Sequence, residues 1–428
     1  MNIIKLYNKT SLVLRIAIGL VIGLCLGLIT KEFFGPANEL KFISILGDLF
    51  VGALKSIAPV LVFVLVIASL SQGSKKLDKR FGLVIVLYIV STFLASIVGV
   101  IGSFIFPQTI KLTGTAVDQA APSGIGKVLT DLLTGMVSNP VSAIAEGRYI
   151  SILFWAVIFG LAAKRIASDN TKKVLSDISD AVAQLVRWII NLAPFGIMGL
   201  VYYNVYSNGL SIFVDYGKLL ALLCGCMLTV ALVIDPLLAG LILKKNPYPL
   251  VFKCLKESGI TAFFTRSSAA NIPVNMALCE RLGLDRDMYS VSIPLGATIN
   301  MDGAAITISV MSLAAAHTVG KEVSFVTALL LAFLATLAAC GASGVAGGSL
   351  LLIPMACSLF GVPVDVAMQV VAVGFIISVV QDSLETALNS SGDVLFAATA
   401  EYAQWKKEGK SLPKFMGGDT ELPDPSNK

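Results

Sequence analysis

The chain has 428 residues, of which 56% are hydrophobic and only 14% are charged. A soluble protein carries roughly 25% charged residues, and a mean hydropathy of +0.84 is too apolar for a surface that faces water. The net charge is 32 − 27 = +5, and the basic residues lie in short loops instead of one patch, which argues against a nucleic acid partner. The composition therefore excludes a pair of soluble domains and indicates an integral membrane protein.

Eight apolar runs approach the length of about 20 residues that a helix needs to cross a bilayer. In chain order they are residues 12–29, 43–70, 81–106, 150–163, 182–205, 216–243, 288–316 and 364–396. We interpret the first run as a retained span, because no signal-peptide cleavage site follows it. The fourth run is short by itself, so we expect that span to be broken into pieces.

The distribution of Lys and Arg predicts how these spans are oriented. If the chain crosses the membrane eight times, the loops on one side contain the basic clusters at 75–80, 164–173, 244–245, 281–286 and 406–410. The loops on the other side contain isolated lysines. Loops rich in positive charge stay in the cytoplasm. Both termini are therefore predicted to be cytoplasmic.

Two further stretches, 251–278 and 323–359, are apolar at both ends but polar or glycine-rich in the middle. The threading works only if each enters and leaves on the same side, so we predict two re-entrant hairpins from opposite faces. Lipid cannot satisfy the backbone groups of a hairpin tip, which must be buried in protein or line a wet cavity. Opposed hairpins are typical of an inverted repeat. The predicted fold is all-α, with eight transmembrane helices plus two opposed re-entrant hairpins.

The two tips carry residues that point to a binding site. The first reads TRSSAANIP at 265–273, and its Arg266 needs a partner or a ligand at membrane depth. The half-helix after this tip would direct its N-terminal N–H groups toward an anion such as a carboxylate. The second tip, at 339–349, is rich in glycine, which permits close backbone approach.

The seventh span contains a polar interruption, PLGATINMDG, at 294–303. Asp302 is costly in an apolar span unless a cation or a hydrogen-bond donor meets it. Asn300 and Asp302 point in different directions on a regular helix, so we predict an unwound turn, flanked by Gly296 and Gly303, in which they converge on ions.

The last span carries five polar side chains on one helical face: Asp382, Glu385, Thr386, Asn389 and Asp393. Its three carboxylates repel each other unless Na⁺, H⁺, an ammonium group or a basic residue compensates. The third span adds the hydroxyls of Tyr88, Ser91 and Thr92. Hard cations prefer oxygen ligands of these types. The residues alone therefore predict a cation-coupled carrier of a small zwitterion.

These motifs resemble the dicarboxylate/amino acid:cation symporters, the glutamate transporter family. The likeness rests on TRSSAANIP, PLGATINMDG, the glycine-rich second tip and NSSGD at 389–393, and it covers residues from about 88 to 393 in the same order. Within the family, the chain is most similar to bacterial members that carry serine and threonine with sodium.

The resemblance implies a homotrimer in which a transport part of each protomer slides past a scaffold like an elevator. Residues 1–243 would mainly form the scaffold, with the third span, 81–106, joining the transport part. The remaining parts would be hairpin 1 (251–280), the broken span (288–316), hairpin 2 (323–359) and the last span (364–396) within a transport core at 250–396, followed by a cytoplasmic tail at 397–428.

The resemblance also implies roles by position. One Na⁺ would be bound by Gly296, Asn300, Asn389 and Asp393. A second would be bound by Tyr88, Ser91, Thr92, Asn300 and Asp302, and a third by Thr298, Met301 and the backbone near Ala342. The shared amino-acid backbone of the substrate would contact Ser267, Ser268, Val345, Asp382, Thr386 and Asn389, with Asp382 on the ammonium group.

The chain departs from the family pattern where acidic side chains are bound. Members that carry acidic amino acids have an arginine three residues after the position of Asp382, but this chain has Glu385. Threonine after NMDG is replaced by Ala304, and the proline of the second tip by Ala346. The half of the site that binds the amino-acid backbone is thus expected to be intact, whereas the half for an acidic side chain is lost.

Glu385 is expected to set specificity by repelling acidic substrates. We expect Arg266 on the first tip to neutralise Glu385 in the resting protein. A substrate hydroxyl would then be bound by Ser349, or by a water molecule that Glu385 holds.

The resulting hypothesis is a Na⁺-coupled symporter that imports serine and threonine across the bacterial inner membrane without an organic cofactor. A Na⁺- or H⁺-coupled symporter of acidic amino acids or dicarboxylates is the main alternative, and the missing arginine argues against it. An ion or water channel would need neither occluding hairpins nor three carboxylates. An enzyme is disfavoured because His317 is the only histidine and no Walker A loop is present.

Overall fold

The computed structural model describes residues 12–34, 39–71, 79–110, 135–146, 148–210, 212–340 and 347–422. The helices in chain order are α1 (Leu12–Ile29), α2 (Lys41–Ser71), α3 (Lys79–Ile105), α4 (Pro140–Glu146), α5 (Tyr149–Ile166), α6 (Asp169–Asn191), α7 (Ala193–Asn208), α8 (Ile212–Thr229), α9 (Asp235–Leu243), α10 (Tyr248–Cys254), α11 (Ile260–Thr265), α12 (Ser268–Arg281), α13 (Arg286–Ile299), α14 (Asp302–Thr318), α15 (Phe325–Ala339), α16 (Ile353–Ser358) and α17 (Val364–Lys407). Shorter turns of π-helix (Thr30–Phe34, Val230–Ile234, Leu255–Gly259) and 3₁₀-helix (Ser349–Leu352, Lys414–Met416) supplement them. The predicted all-helical class is confirmed.

Several helices are long and apolar enough to cross a membrane. In the described part of the chain, five candidates are Leu14–Phe33, Arg80–Ile105, Val214–Leu243, Arg286–Thr318 and Val364–Lys407. The pair α6 and α7 qualifies as one further span that is bent by 51°. These helices make the chain a multi-pass membrane protein, and the total of eight spans stays a prediction.

The fifth predicted span differs from the prediction of one run at 182–205. Its first helix already begins at Asp169, where the Ser168 hydroxyl accepts a hydrogen bond from Thr171 N. The chain bends at Leu192, and Pro194 occupies the first turn of α7. Proline favours a helix start because its missing N–H needs no partner there. The apolar pattern located the span but not the break within it.

Glycines on α1 allow this helix to pack closely against α7. A Cβ added at Gly19 would lie 2.2 Å from the carbonyl oxygen of Pro194, and one at Gly23 would lie 2.4 Å from that of Met198. Small residues four apart permit such close backbone approach between membrane helices. Gly199 of α7 likewise packs against the backbone of α2, at Ile43 and Gly47. The α1, α2 and α7 helices therefore form one tightly packed layer.

The segment predicted as the first hairpin consists of α10, a π-turn and α11, followed by a reversal and α12. Only Arg266 and Ser267 interrupt the helices, and Arg266 adopts the left-handed region with φ 52°. Most of the TRSSAANIP motif is helical, since α12 begins at Ser268 and includes Pro273. Polar contacts fix the hairpin to α17: Asn271 Nδ2 donates to Ser390 Oγ at 2.7 Å.

The segment predicted as the second hairpin contains α15, the 3₁₀ turn at Ser349–Leu352 and α16. Its predicted tip lies partly outside the described residues, since 341–346 are not among them. At Gly347 the chain has φ 71°, a conformation that favours glycine. Of the predicted second tip, 339–349, the structure thus describes 339–340 and 347–349.

The core is formed by the interrupted pair α13 and α14 and by the long helix α17. Helix α13 ends at Ile299 and α14 begins at Asp302, so the chain is unwound at Asn300 and Met301 as the flanking glycines predict. Helix α17 continues to Lys407, whereas the sequence predicted an end at 396. Its extension is buried, and Tyr402 Oη donates to the carbonyl oxygen of Leu282 at 2.9 Å. Part of the predicted tail is thus a packed helix.

Candidate functional site

Asp382 lies where the two hairpins meet. Its Oδ2 accepts a hydrogen bond from Arg266 Nε at 2.7 Å, and its Oδ1 accepts one from Gly347 N at 3.2 Å. The Arg266 and Asp382 side chains are only 7% and 3% exposed, so this is a buried ion pair. One carboxylate therefore connects the first hairpin, the last span and the second hairpin.

The serines of the first tip occupy the N-terminus of α12. Ser267 Oγ caps the helix by accepting from Ala270 N at 3.2 Å, and Ser268 is buried. A helix N-terminus leaves backbone N–H groups free and carries a partial positive charge. Since Arg266 precedes this terminus directly, the first tip presents donors to an anion beside Asp382.

Glu385 is held by neutral donors, and the prediction that Arg266 neutralises it was wrong. Its Oε2 accepts from Thr307 Oγ1 at 2.8 Å, from Ser349 Oγ at 2.9 Å and from the amide nitrogen of Gln381. The reason lies in helix packing.

Gly303 sets this arrangement, because a Cβ there would lie 2.6 Å from Glu385 Cα. The close approach of α14 to α17 places Thr307, one turn further along α14, on the Glu385 carboxylate. The carboxylate is thus supplied with donors without Arg266. Thr307 and Gln381 are members of the site that the sequence did not identify.

Two other predicted substrate residues contribute to the architecture of the last span. Thr386 Oγ1 donates to the carbonyl oxygen of Asp382 at 2.8 Å, one turn back. Asn389 Oδ1 accepts from Gly303 N at 2.8 Å, at the start of α14. Val345 was predicted to contact the substrate and lies outside the described residues.

The first predicted sodium set comes together in the core. Asn300 Nδ2 donates to Asp393 Oδ1 at 3.1 Å and to the carbonyl oxygen of Asn389 at 3.0 Å. A Cβ at Gly296 would lie 2.6 Å from Asp393 Oδ1, so only glycine leaves this carboxylate its space. Asn300 Oδ1 and Asp393 Oδ2 are buried acceptors without a donor among the described residues.

The second predicted set centres on Asp302. Ser91 Oγ lies 2.8 Å from Asp302 Oδ2, and Thr92 Oγ1 lies 2.8 Å from Asp302 Oδ1. Tyr88, also predicted here, directs its hydroxyl to the first set instead, where it donates to the carbonyl oxygen of Asp393 at 3.0 Å. The Tyr88 side chain extends beyond the Asp302 group to α17, because α3 packs against both α13 and α17.

The third predicted set is not assembled by the contacts of the described residues. Thr298 Oγ1 donates to the carbonyl oxygen of Leu295 within its own helix. Met301 Sδ accepts from Asn389 Nδ2 at 3.4 Å, and Ala342 lies outside the described residues. Only Met301 is thus placed beside the other sets.

Asp235 joins the second set, although no motif had singled it out. Its Oδ1 lies 2.7 Å from Ser91 Oγ, and the residue is only 2% exposed. The signal was present in the sequence, because a carboxylate inside the apolar run at 216–243 is a functional candidate by default.

The oxygen ligands in these sets suit a hard cation. Carboxylate, amide, hydroxyl and carbonyl oxygens are ligands of Na⁺, Mg²⁺ and Ca²⁺ rather than of zinc or iron. Within the described ranges, no three His, Cys, Asp or Glu side chains are grouped as a metal site. The buried oxygens of Asn300 and Asp393 that lack donors fit a cation such as Na⁺.

The fold and the site define the class: a multi-pass membrane protein with a buried polar core of cation-type oxygens. The family follows from comparison with known proteins. The model of the Sodium:dicarboxylate symporter family matches residues 12–402, and the chain belongs to this family. The predicted family membership is confirmed.

Curated relatives share most of the chain. It is 59% identical to the Serine/threonine transporter SstT of Bifidobacterium adolescentis over 415 residues, which cover 97% of this chain and 95% of that protein. It is 56% identical to the protein of the same name from Streptococcus thermophilus, over 94% of this chain and 99% of that protein. For Streptococcus agalactiae serotype III the identity is 57%, with coverage of 95% and 99%. These relatives are named as transporters, not enzymes.

Proposed function

We propose that the chain is a Na⁺-coupled symporter that imports serine and threonine. One observation carries the proposal. Asn300 of the unwound turn is hydrogen-bonded to Asn389 and Asp393 of α17, the helix that also carries Asp382. A substrate on this helix and a cation in the core share ligands, which is what coupling requires. The names of the relatives supply the substrate.

The amino-acid backbone of the substrate would bind between the hairpins. Its ammonium group would bind Asp382 Oδ1, whose present donor is a neutral N–H at 3.2 Å, while Oδ2 keeps Arg266. Its carboxylate would bind at the N-terminus of α12, beside Ser267 and Ser268. Thr386, Asn389 and Val345 would complete the contacts on the other side.

The Glu385 cluster, formed by Glu385, Thr307, Ser349 and Gln381, would receive the side-chain hydroxyl. It offers acceptors and hydroxyl groups but no basic residue, which suits serine or threonine and disfavours a substrate carboxylate. Gln381 Oε1 is a buried acceptor without a donor among the described residues. A serine hydroxyl is a donor of matching type.

The acidic alternative, a Na⁺- or H⁺-coupled symporter of dicarboxylates, would need a donor for a second carboxylate. Arg266 is the nearest basic group, and Asp382 already binds it. Freeing Arg266 for the substrate would leave Asp382 buried without its counter-charge, at a cost of several kcal/mol. This cost favours neutral substrates.

Na⁺ would bind the two assembled sets, one around Asn300 and Asp393 and the other around Ser91, Thr92 and Asp302. A third ion at Thr298 and Met301 has less support, because their contacts do not converge. The tightly packed layer of α1, α2 and α7 would belong to a trimeric scaffold in the bacterial inner membrane. The core with its hairpins would move past it as an elevator, with both termini in the cytoplasm.

Uptake by purified protein in liposomes tests this proposal. We expect labelled serine to accumulate under an inward Na⁺ gradient, and not under matched K⁺ or proton gradients. Excess threonine should compete, and excess aspartate should not. Accumulation driven by protons without Na⁺, or aspartate competing as strongly as threonine, would support the acidic alternative instead.

A further inference from the structure

Asp235 is a buried carboxylate outside every motif of the family pattern described above. It begins α9 directly after the π-turn Val230–Ile234 and precedes Pro236. π-turns within helices occur frequently at functional sites, because they re-aim the following side chains. Here the turn directs Asp235 to the third span, where its Oδ1 lies 2.7 Å from Ser91 Oγ.

Ser91 also lies 2.8 Å from Asp302 Oδ2, so one hydroxyl serves two carboxylates. A serine hydroxyl has a single proton and can donate to only one of them. The two carboxylates therefore lie on either side of the Ser91 hydroxyl, and one of them receives no hydrogen bond from it. Within the described residues, neither Asp235 nor Asp302 forms an ion pair with a lysine or arginine.

A separate observation indicates what is missing. Asn300 Oδ1 is fully buried and lacks a donor among the described residues. Its amide nitrogen is turned to α17, at Asp393, so the oxygen lies on the opposite side of the amide. The next residue, Met301, donates its N–H to Thr92 Oγ1, which keeps this segment beside the Asp302 group. The open groups are Asn300 Oδ1 and the one carboxylate oxygen that the single Ser91 proton does not serve. Both are acceptors, and a cation can bind to both.

We propose that Asp235 is a ligand of the Na⁺ ion bound at Asp302, and that this site contains two carboxylates. The inference rests on the proposed function and adds a charged residue to its second sodium set. Two carboxylates attract the ion more strongly than one, and they repel each other when it leaves. Na⁺ would therefore hold Asp235 of α9 beside Ser91 of α3 and Asp302 of α14.

The D235N variant tests this assignment, with D215N at the outer end of the same span as the matched control. At saturating Na⁺ we expect the serine concentration for half-maximal uptake to change less than threefold. The Na⁺ concentration for half-maximal uptake is expected to rise at least tenfold in D235N and to stay unchanged in D215N. An unchanged Na⁺ requirement in D235N would overturn the assignment of Asp235.

Thermal unfolding of the purified protein with Na⁺ alone separates ion binding from a structural role. In choline, D235N should unfold at or above the wild-type temperature, because repulsion from Asp302 is gone. Added Na⁺ should stabilise D235N less than the wild type. A variant that is destabilised or fails to fold in choline would show that Asp235 is only structural. If wild-type uptake does not need Na⁺, the proposed function itself fails, independently of Asp235.

Discussion

Removing the charge of Asp382 is the most informative perturbation of the substrate site, provided that the folding of each variant is measured alongside its serine affinity. Asp382 is 3% exposed and forms a 2.7 Å ion pair with Arg266. The single variant D382N leaves the guanidinium buried without a counter-charge, which costs about 3–5 kcal/mol in comparable pairs. Loss of serine binding in D382N alone could therefore result from unfolding.

The double variant R266Q/D382N removes both charges and avoids this cost. The costly part of breaking a buried ion pair is the uncompensated charge that is left behind, and the double variant leaves none. The thermal unfolding temperature should thus stay near that of the wild type. Serine binding should still be lost, because a charge-assisted hydrogen bond to the ammonium group is worth about 1.5–3 kcal/mol. The affinity should fall by about one to two orders of magnitude.

Calorimetric titration of serine into purified protein at saturating Na⁺ measures this difference. R266Q alone keeps the carboxylate of Asp382 but leaves it buried without its counter-charge, so its unfolding temperature is measured beside its affinity. Where R266Q is folded, serine binding is expected to persist, because the ammonium group supplies the counter-charge. A folded double variant that binds serine within threefold of the wild type would refute the assignment of Asp382 to the ammonium group.

Four further predictions concern the ion sites, specificity and the gates. D393N removes the carboxylate whose Oδ2 lacks a donor among the described residues, so a Na⁺ titration of uptake should show at least a tenfold higher requirement; an unchanged requirement contradicts this role. G296A places a Cβ 2.6 Å from that carboxylate and should raise the Na⁺ requirement, while serine affinity at saturating Na⁺ changes less than threefold. E385Q keeps an acceptor for its three donors but removes the carboxylate, so serine uptake should persist and aspartate should become a competitor of labelled serine; continued exclusion of aspartate would assign specificity elsewhere. The S267C variant should react with membrane-impermeant thiol reagents mainly from the cytoplasm, and the S349C variant mainly from outside. Na⁺ plus serine should protect both cysteines. Equal labelling of both from one side would argue against opposed hairpins.

Local patterns in the sequence predicted the parts of the site that lie close together in the chain. The glycines around 294–303 and the costly Asp302 predicted the unwound turn, which the structure has at Asn300 and Met301. The helical spacing of the polar residues predicted one buried face of α17. In both cases the determining interactions lie within one or two helical turns.

Pairings between distant segments were harder to predict. Arg266 and Asp382 are 116 residues apart, and their partnership depends on how the first hairpin packs against α17. The donors of Glu385 likewise depend on the close approach of α14 at Gly303. No periodicity contains this information, which is why Arg266 was assigned to the wrong carboxylate. Asp235 is different, since its position in an apolar run was itself a signal.

Sodium uptake driven by a serine gradient tests coupling itself most directly. Proteoliposomes with equal Na⁺ on both sides, a trace of ²²Na⁺ outside and an inward serine gradient would be sampled over time. If serine and Na⁺ share one transport cycle, ²²Na⁺ will accumulate inside with serine, and will not do so in the R266Q/D382N variant. Serine entry without accumulation of ²²Na⁺ would contradict sodium-coupled symport.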